Sequence, residues 1–258
     1  MNAVAEVENT AAEPAVPAVK PPTVKMVLSL TLIATVSGIL IVLTHFLTKP
    51  VIDENKRVAL QNSITAILPG TVKIEERMVL ADGKILQIDQ SVPAKGKDAP
   101  VGVRTYTGLD KDNRPLGIVV EASGTGFQDI IAVIYAYDPG RQLITGMTVM
   151  SSKETPGLGD KIESDQQFHA NFKSLDVRLN AAADGLEHAI IAVKNGQKTN
   201  DWQVEGITGA TISSKAVAGI MNASTTSVLP QIQKQISAFG FGQASAARDS
   251  ATSTGGGQ

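Results

Sequence analysis

Residues 26–47 hold no Asp, Glu, Lys or Arg in 22 consecutive positions dominated by Leu, Ile, Val and Thr. As a helix rising about 1.5 Å per residue, such a run covers about 33 Å, the thickness of a bilayer's hydrocarbon core. A cleaved signal peptide is the competing reading, but its apolar region is about 7–15 residues long and ends in small residues. This run is longer and closes on His45, Phe46 and Leu47, so it is read as an uncleaved transmembrane helix. Lys20 and Lys25 precede it, and Lys49, Lys56 and Arg57 follow it, so the flanking charges do not orient it. Ahead of it, residues 1–25 are rich in Ala, Val, Pro and Glu, which predicts a disordered tail.

Beyond the anchor, residues 48–70 predict a membrane-proximal helix with Leu60, Ile64, Ile67 and Leu68 on one face and Pro69-Gly70 as its stop. A hairpin is expected around Asp82-Gly83, then a Pro-, Lys- and Gly-rich loop over 91–100. Four strands are expected over 103–107, 117–122, 130–137 and 143–150, with the apolar IIAVIYAY inside the sheet. Turns this short between successive strands require mostly antiparallel pairing. Helical spacing over 165–172 pairs Phe168 with Phe172 as core residues, and 189–193 predicts a buried strand. Pro230 is expected to open a last short helix carrying Ile232 and Ile236, and residues 240–258 read as a second disordered tail. The outcome is one α+β domain over 71–239: a mostly antiparallel sheet with flanking helices behind a single N-terminal transmembrane helix.

Composition excludes several chemistries. There is no cysteine, hence no disulfide, thiolate metal site or cysteine-held iron–sulfur cluster. His45, His169 and His188 lie at no metal-ligand spacing, and a net charge of -2 gives no footprint for nucleic acid.

Two strings carry the candidate chemistry. The first is EGITGATISSKAV at 205–217, in which Thr208, Gly209, Ala210 and Thr211 lead into a helix with Ile212, Ala216 and Ile220 on one stripe and Val217 and Met221 beside it. Leading helix amides lack intrahelical partners and lie at the positive end of the dipole, so this junction suits a phosphate. Gly209 and Ala210 allow close backbone approach, Ser213 and Ser214 offer hydroxyls, and Lys215 adds a charge. The plainer reading is that Thr208 or Thr211 caps the helix. The second string is KETPGLGDKI at 153–162, whose rigid Thr155-Pro156-Gly157 and permissive Leu158-Gly159 suit main chain lying against a flat ligand. Alone it reads as a crossing loop.

Together the strings resemble the FMN-binding domain family. Its flavinylation motif, Asp-x-x-Ser/Thr-Gly-Ala-Thr/Ser, falls on residues 205–211, and its Glu-Thr-Pro-Gly-Leu-Gly signature falls on residues 154–159. The resemblance implies that Thr211 is esterified to the phosphate of FMN by a dedicated flavin transferase. It implies further that Glu154, Thr155, Gly157, Leu158 and Gly159 line the flavin pocket. Glu205 takes the place of the family's leading Asp, a feature of transferase recognition, and lies one methylene further out. Ser152 stands where the family has a His, so no proton donor is assigned there. Trp202 either borders the ring or packs under its loop.

The layout is most similar to G subunits of Rnf-type electron transport complexes, and more distantly to the C subunit of the sodium-pumping NADH:quinone oxidoreductase. That implies a single-pass protein of the bacterial inner membrane with a cytoplasmic N-terminus and a periplasmic FMN domain, surrounded by lipid and by the other subunits. Its role would be electron transfer between ferredoxin and NAD couples within an ion-translocating complex, with no general base or nucleophile of its own. The alternative is an anchored FMN module that senses redox state outside an electron chain.

Overall fold

The computed structural model describes residues 23–88 and 101–242. Most of the expected N-terminal tail, the loop expected over 91–100 and nearly all of the C-terminal tail lie outside the described residues. The chain divides into two compact units, Met1–Lys56 and Arg57–Gln258.

The described part of the first unit belongs to one helix, α1 (Thr23–Ile67). Among the described residues it is the one helix long and apolar enough to cross a membrane. The sequence reading divides this stretch into an anchor from residue 26 and a membrane-proximal helix from residue 48. The helix instead begins at Thr23 and runs through Pro50. Proline removes one N–H, a single lost bond in a helix that continues on both sides of it. Thr31, Thr35, Thr44 and Thr48 return their hydroxyls to carbonyls one turn earlier, which hides these polar groups within the helix.

The second unit is built on a seven-stranded antiparallel sheet. In chain order the strands are β1 (Lys73–Leu80), β2 (Ile85–Gln87), β3 (Gly102–Leu109), β4 (Pro115–Thr125), β5 (Ile130–Asp138), β6 (Leu143–Ser151) and β7 (Leu175–Asp176), lying side by side as β2-β1-β3-β4-β5-β6-β7. In β5, Ile131, Val133, Tyr135 and Tyr137 join the large core, while Ile134 and Ala136 join a smaller one on the other face. Burial on both faces explains its unbroken apolar run.

The larger core is closed by α3 (Thr211–Lys234), which buries Val217, Ala218, Ile220, Met221, Val228, Leu229 and Ile232. Two polar ties fix it: Tyr135 Oη lies 2.9 Å from Ser224 Oγ, and Tyr137 Oη donates to Gln233 Oε1 at 3.2 Å. The helix runs through Pro230 rather than restarting there. An interior proline costs about 3 kcal/mol. Burying a Val, Leu or Ile recovers about 1.5–3 kcal/mol each, and Val228, Leu229 and Ile232 are all buried here.

The smaller core is closed by the end of α1, where Ile64, Ile67 and Leu68 are buried. The sheet beneath them is surfaced with glycine. A Cβ on Gly108 would lie 2.5 Å from Leu68 Cδ2, one on Gly117 2.9 Å from Leu68 Cδ1, and one on Gly146 3.0 Å from Ile67 Cβ. Phe168 and Phe172 pack edge to face at 5.3 Å in the large core, as their spacing predicts. Phe168 lies within the short α2 (Gln166–Ala170), whose N-cap is Asp165, and Phe172 lies in the turn that follows it.

The strand expected over 189–193 is short and half exposed. It is β8 (Ile191–Val193), paired in parallel with β9 (Gln203–Glu205), and Ile191 is exposed. Filling the glycine floor tests this arrangement. Gly108→Val should lower unfolding stability by about 1–3 kcal/mol through overpacking. Chemical denaturation of the detergent-solubilised protein should read that loss, and truncation by Leu68→Ala in the same chain should recover part of it.

Candidate functional site

Three segments meet at one carboxylate. Glu154 follows β6, where an extra residue opposite Ala132/Val133 shifts the register and turns the strand end. Its side chain is 5% exposed. Oε1 accepts from the backbone N–H of Phe127 at 2.8 Å and of Gln128 at 3.1 Å, in the turn after β4. Oε2 accepts from Ser213 Oγ in the first turn of α3, at 2.5 Å. Burial alone would raise the carboxyl's pKa. The Ser213 hydroxyl and the N–H groups of Gln128, Phe127 and Asp129 outweigh it, and Glu154 is held below its ordinary 4.5.

Glycine makes this junction possible. A Cβ on Gly126 would lie 2.4 Å from Glu154 Oε1, and one on Gly159 would lie 2.7 Å from Ser213 Oγ and 2.9 Å from Glu154 Cβ. The other residues of the 153–162 string lie around it. Thr155 Oγ1 accepts from Gln128 Nε2 at 2.9 Å, Gly157 has φ 74° and open space about it, and Leu158 is exposed.

The 205–211 segment is pinned at some residues and free at others. The Asn171 side chain clamps the main chain of Glu205, accepting from its N–H at 3.0 Å and donating to its C=O at 3.1 Å. The Glu205 carboxylate accepts from Gly196 N. Gly206 N donates to Val193 O at 2.9 Å, Ile207 N to Ser214 Oγ at 3.0 Å, and Ala210 N to Ile207 O at 3.0 Å. Thr208, Gly209 and Thr211 face outward, and Gly209 takes φ 86°.

The N-cap of α3 is Ala210, and no side chain caps the helix. The capping role open to Thr208 and Thr211 is therefore not taken up. Among the described residues, no hydrogen bond joins the Thr211 hydroxyl to the protein, and Lys215 stands exposed one turn on. The leading amides, the Thr211 hydroxyl and the Lys215 ammonium remain for an anion.

Two expectations are corrected here. Ser213 and Ser214 do not offer hydroxyls to a ligand: both are buried, with Ser213 donating to Glu154 and Ser214 donating to Ala210 O at 2.9 Å while accepting from Ile207 N. Ile212, placed by its spacing on the buried stripe, is instead 59% exposed. It joins Phe127, 60% exposed, and Leu158, 51% exposed, all on segments that converge on Glu154. Apolar side chains of that size, turned outward from three meeting segments, offer a dry face to a flat ligand. Trp202 stacks on His188 at 3.9 Å and 21°, so its ring packs against protein.

Phe127, Gln128 and Asn171 are not singled out by the sequence. Gly124-Thr125-Gly126 marks the turn that presents Phe127 and Gln128, but nothing local ties that turn to Glu154. Asn171 is a lone amide between Phe168 and Phe172, and its role depends on β9, a three-residue strand with no period to detect.

Residues 126–225 match the FMN-binding domain family, and residues 20–67 match the RnfG N-terminal region. Among curated relatives, the G subunit of the proton-translocating ferredoxin:NAD(+) oxidoreductase complex of Clostridium ljungdahlii is 28% identical, across 73% of this chain and 82% of that protein. The G subunit of the ion-translocating oxidoreductase complex of Methanosarcina acetivorans is also 28% identical, across 80% of this chain and 95% of that one. The crystal structure of Shewanella oneidensis NqrC superposes with a TM-score of 0.54 at 21% identity, covering 72% of this chain and 97% of its own, and so shares the fold.

The Glu154 junction has a definite pH signature. Its pKa is depressed on folding, so its stabilising contribution is present above about pH 4.5 and is lost as pH falls through the lower folded value. Glu154→Gln should cost about 1–3 kcal/mol at neutral pH. The gap between the two proteins' denaturation midpoints should narrow as the pH is taken below 4.5.

Proposed function

We propose that this chain, whose residues 126–225 match the FMN-binding domain family behind an RnfG-type N-terminal region, is the electron-transfer subunit of an ion-translocating oxidoreductase complex, carrying FMN as a phosphoester on Thr211. The observation that carries this reading is the start of α3. An outward threonine hydroxyl with no protein partner among the described residues sits on an uncapped helix whose neighbours are braced from below.

The residues fit the group. The phosphate would lie at the leading amides of α3 with Lys215 beside it, and the ring against the apolar face of Phe127, Leu158 and Ile212. Thr155, Gly157 and Gly159 form the backbone of the loop at its edge, while Thr208, Gly209 and Ala210 keep the approach to Thr211 unobstructed. FMN, when bound, supplies the reversible uptake of electrons. The chain itself positions the ring, keeps one face dry and sets the local charge. The buried Glu154 carboxylate and the exposed Lys215 ammonium are charges it contributes at the first turns of α3.

Attachment is a group transfer from a flavin nucleotide whose phosphate carries a leaving group, catalysed by a separate transferase. The bond from Thr211 Oγ to phosphorus forms, the bond from phosphorus to the leaving group breaks, and the hydroxyl proton departs with it. The protein gains one FMN less one water, with no change of oxidation state.

The apolar run of α1 supports a place in the cytoplasmic membrane among the complex's other subunits, and we assign the folded unit to the periplasmic side with the N-terminus inside. A flavin on that side would be lost if it dissociated, and a covalent bond prevents this.

Intact mass of the purified protein, with fragmentation of the peptide spanning 205–215, tests the reading. A gain of one FMN less one water, localised to Thr211, is expected from cells holding an active flavin transferase. Thr211→Ala should abolish that gain and leave the unfolding free energy within about 0.5 kcal/mol of wild type, as suits a surface substitution away from buried groups. Covalent FMN retained in Thr211→Ala would refute the assignment of the acceptor.

A further inference from the structure

Residues 208–213 lie between Ile207 and Ser214, and one buried hydroxyl joins the two ends. Ser214 is 0% exposed, and its Oγ accepts from Ile207 N at 3.0 Å while donating to Ala210 O at 2.9 Å. Ala210 O also accepts from Ser214 N at 2.9 Å, the bond that opens α3. Within the ring so formed, Ala210 N donates to Ile207 O at 3.0 Å and closes a turn whose third residue, Gly209, takes φ 86°. Thr208, Gly209 and Thr211 stand exposed on the outside of it, while Ala210 is buried.

Two consequences reach Thr211. A trans peptide points its C=O and N–H in opposite directions. The Ala210 carbonyl, held toward the helix by two donors, therefore turns the Thr211 N–H the other way, out of the helix start. A side chain at the N-cap would take up the amide of the second or third helical residue. Ser214 instead takes an amide from ahead of the helix, so the loop is ordered without drawing on the leading amides of α3.

We propose that Ser214 is a positioning residue for flavin attachment: its hydroxyl holds the 207–210 turn against α3 and so fixes where the Thr211 hydroxyl and the leading amides point. The proposal rests on the reading of Thr211 as the flavin acceptor. Thr225 supplies the contrast. It is as fully buried in the same helix, and its hydroxyl also returns to a carbonyl one turn earlier, Met221 O at 2.7 Å. Among the described residues, however, it accepts from no amide outside the helix. A hydroxyl that only satisfies itself within α3 would behave as Thr225 does.

The experiment follows FMN incorporation, by intact mass, into full-length, detergent-solubilised protein made without transferase and then incubated with purified transferase and flavin nucleotide. Wild type, Ser214→Ala and Thr225→Val are compared over a range of acceptor-protein and nucleotide concentrations. Each rate is divided by the fraction of folded protein, read from circular dichroism, so a folding loss does not register as a transfer loss. Ser214→Ala is expected to lower the rate at saturating acceptor protein at least about fivefold with the KM for flavin nucleotide unchanged, as misplacement of a reacting group does, and Thr225→Val to stay within about twofold of wild type. A smaller fall in Ser214→Ala overturns the proposal, as does an equal fall in Thr225→Val or a loss confined to KM. A second measurement needs no variant. Residue-resolved hydrogen exchange of the wild-type protein before attachment should show Ile207 N–H exchanging at least about tenfold more slowly than the N–H groups of Thr208 and Thr211. Equal exchange overturns the proposal even where Ser214→Ala does not fold. Wild type that takes up no FMN removes the Thr211 reading itself, and the proposal with it, a failure separable from the others because it appears in the unsubstituted protein.

Discussion

Everything at the candidate site hangs on the Glu154 carboxylate, because it is the one group that touches all three segments. A buried anion is tolerated only when donors saturate it. Here two backbone amides from one turn and a hydroxyl from a helix supply them, each from a different part of the chain from Glu154 itself. Removing any one donor leaves charge poorly compensated in a dry place, so the three segments hold their relative positions together or not at all. Gly126 and Gly159 follow from the same requirement, since a side chain at either place would occupy the volume where the carboxylate meets its donors.

The sheet serves this junction by being covered on both faces. On one side, α3 brings its first turn to Glu154 while its middle buries apolar side chains and ties to Tyr135 and Tyr137. On the other, the end of α1 lies close to the strands because Gly108, Gly117 and Gly146 remove the side chains that would hold it off. The middle of β4 is buried, and the turn that offers Phe127 and Gln128 to Glu154 is the direct continuation of that strand.

Much of this is legible in the residues. The strands announce themselves because short turns separate strongly apolar runs, and β5 reads as interior because it alternates nowhere. The anchor is legible from charge alone. Direction is what the residues hide. Reading Ile212, Ala216 and Ile220 as a stripe with Val217 and Met221 beside it holds for Ile220, Val217 and Met221, which are buried, and fails at its first member, because at the start of the helix Ser213 and Ser214 face inward in place of Ile212. One residue is about 100° of helix rotation. That single step turns two serines from ligand donors into internal ties, and turns an isoleucine from core to surface. Pro230 misleads for a related reason: local preference argues for a new helix there, and the buried residues on either side outweigh it.

The inward turn of Ser213 and Ser214 bears on why a covalent bond would be useful here. With their hydroxyls spent on Glu154 and on the 207–210 turn, the phosphate seat keeps only main-chain amides at a helix start and one exposed lysine. A helix terminus contributes about 0.3–1 kcal/mol to a bound anion, and an exposed ion pair about 0–1 kcal/mol. Micromolar retention of a free cofactor needs about 8 kcal/mol. The seat therefore falls short by several kcal/mol, and an apolar face of three side chains, open to water on its outer side, would have to supply the rest. Burying the ring more deeply would close that gap, but it would also wall the flavin off from an electron partner. The proposed ester on Thr211 would separate the two demands: retention would no longer depend on affinity, and the ring could stay accessible in a pocket that need only orient it.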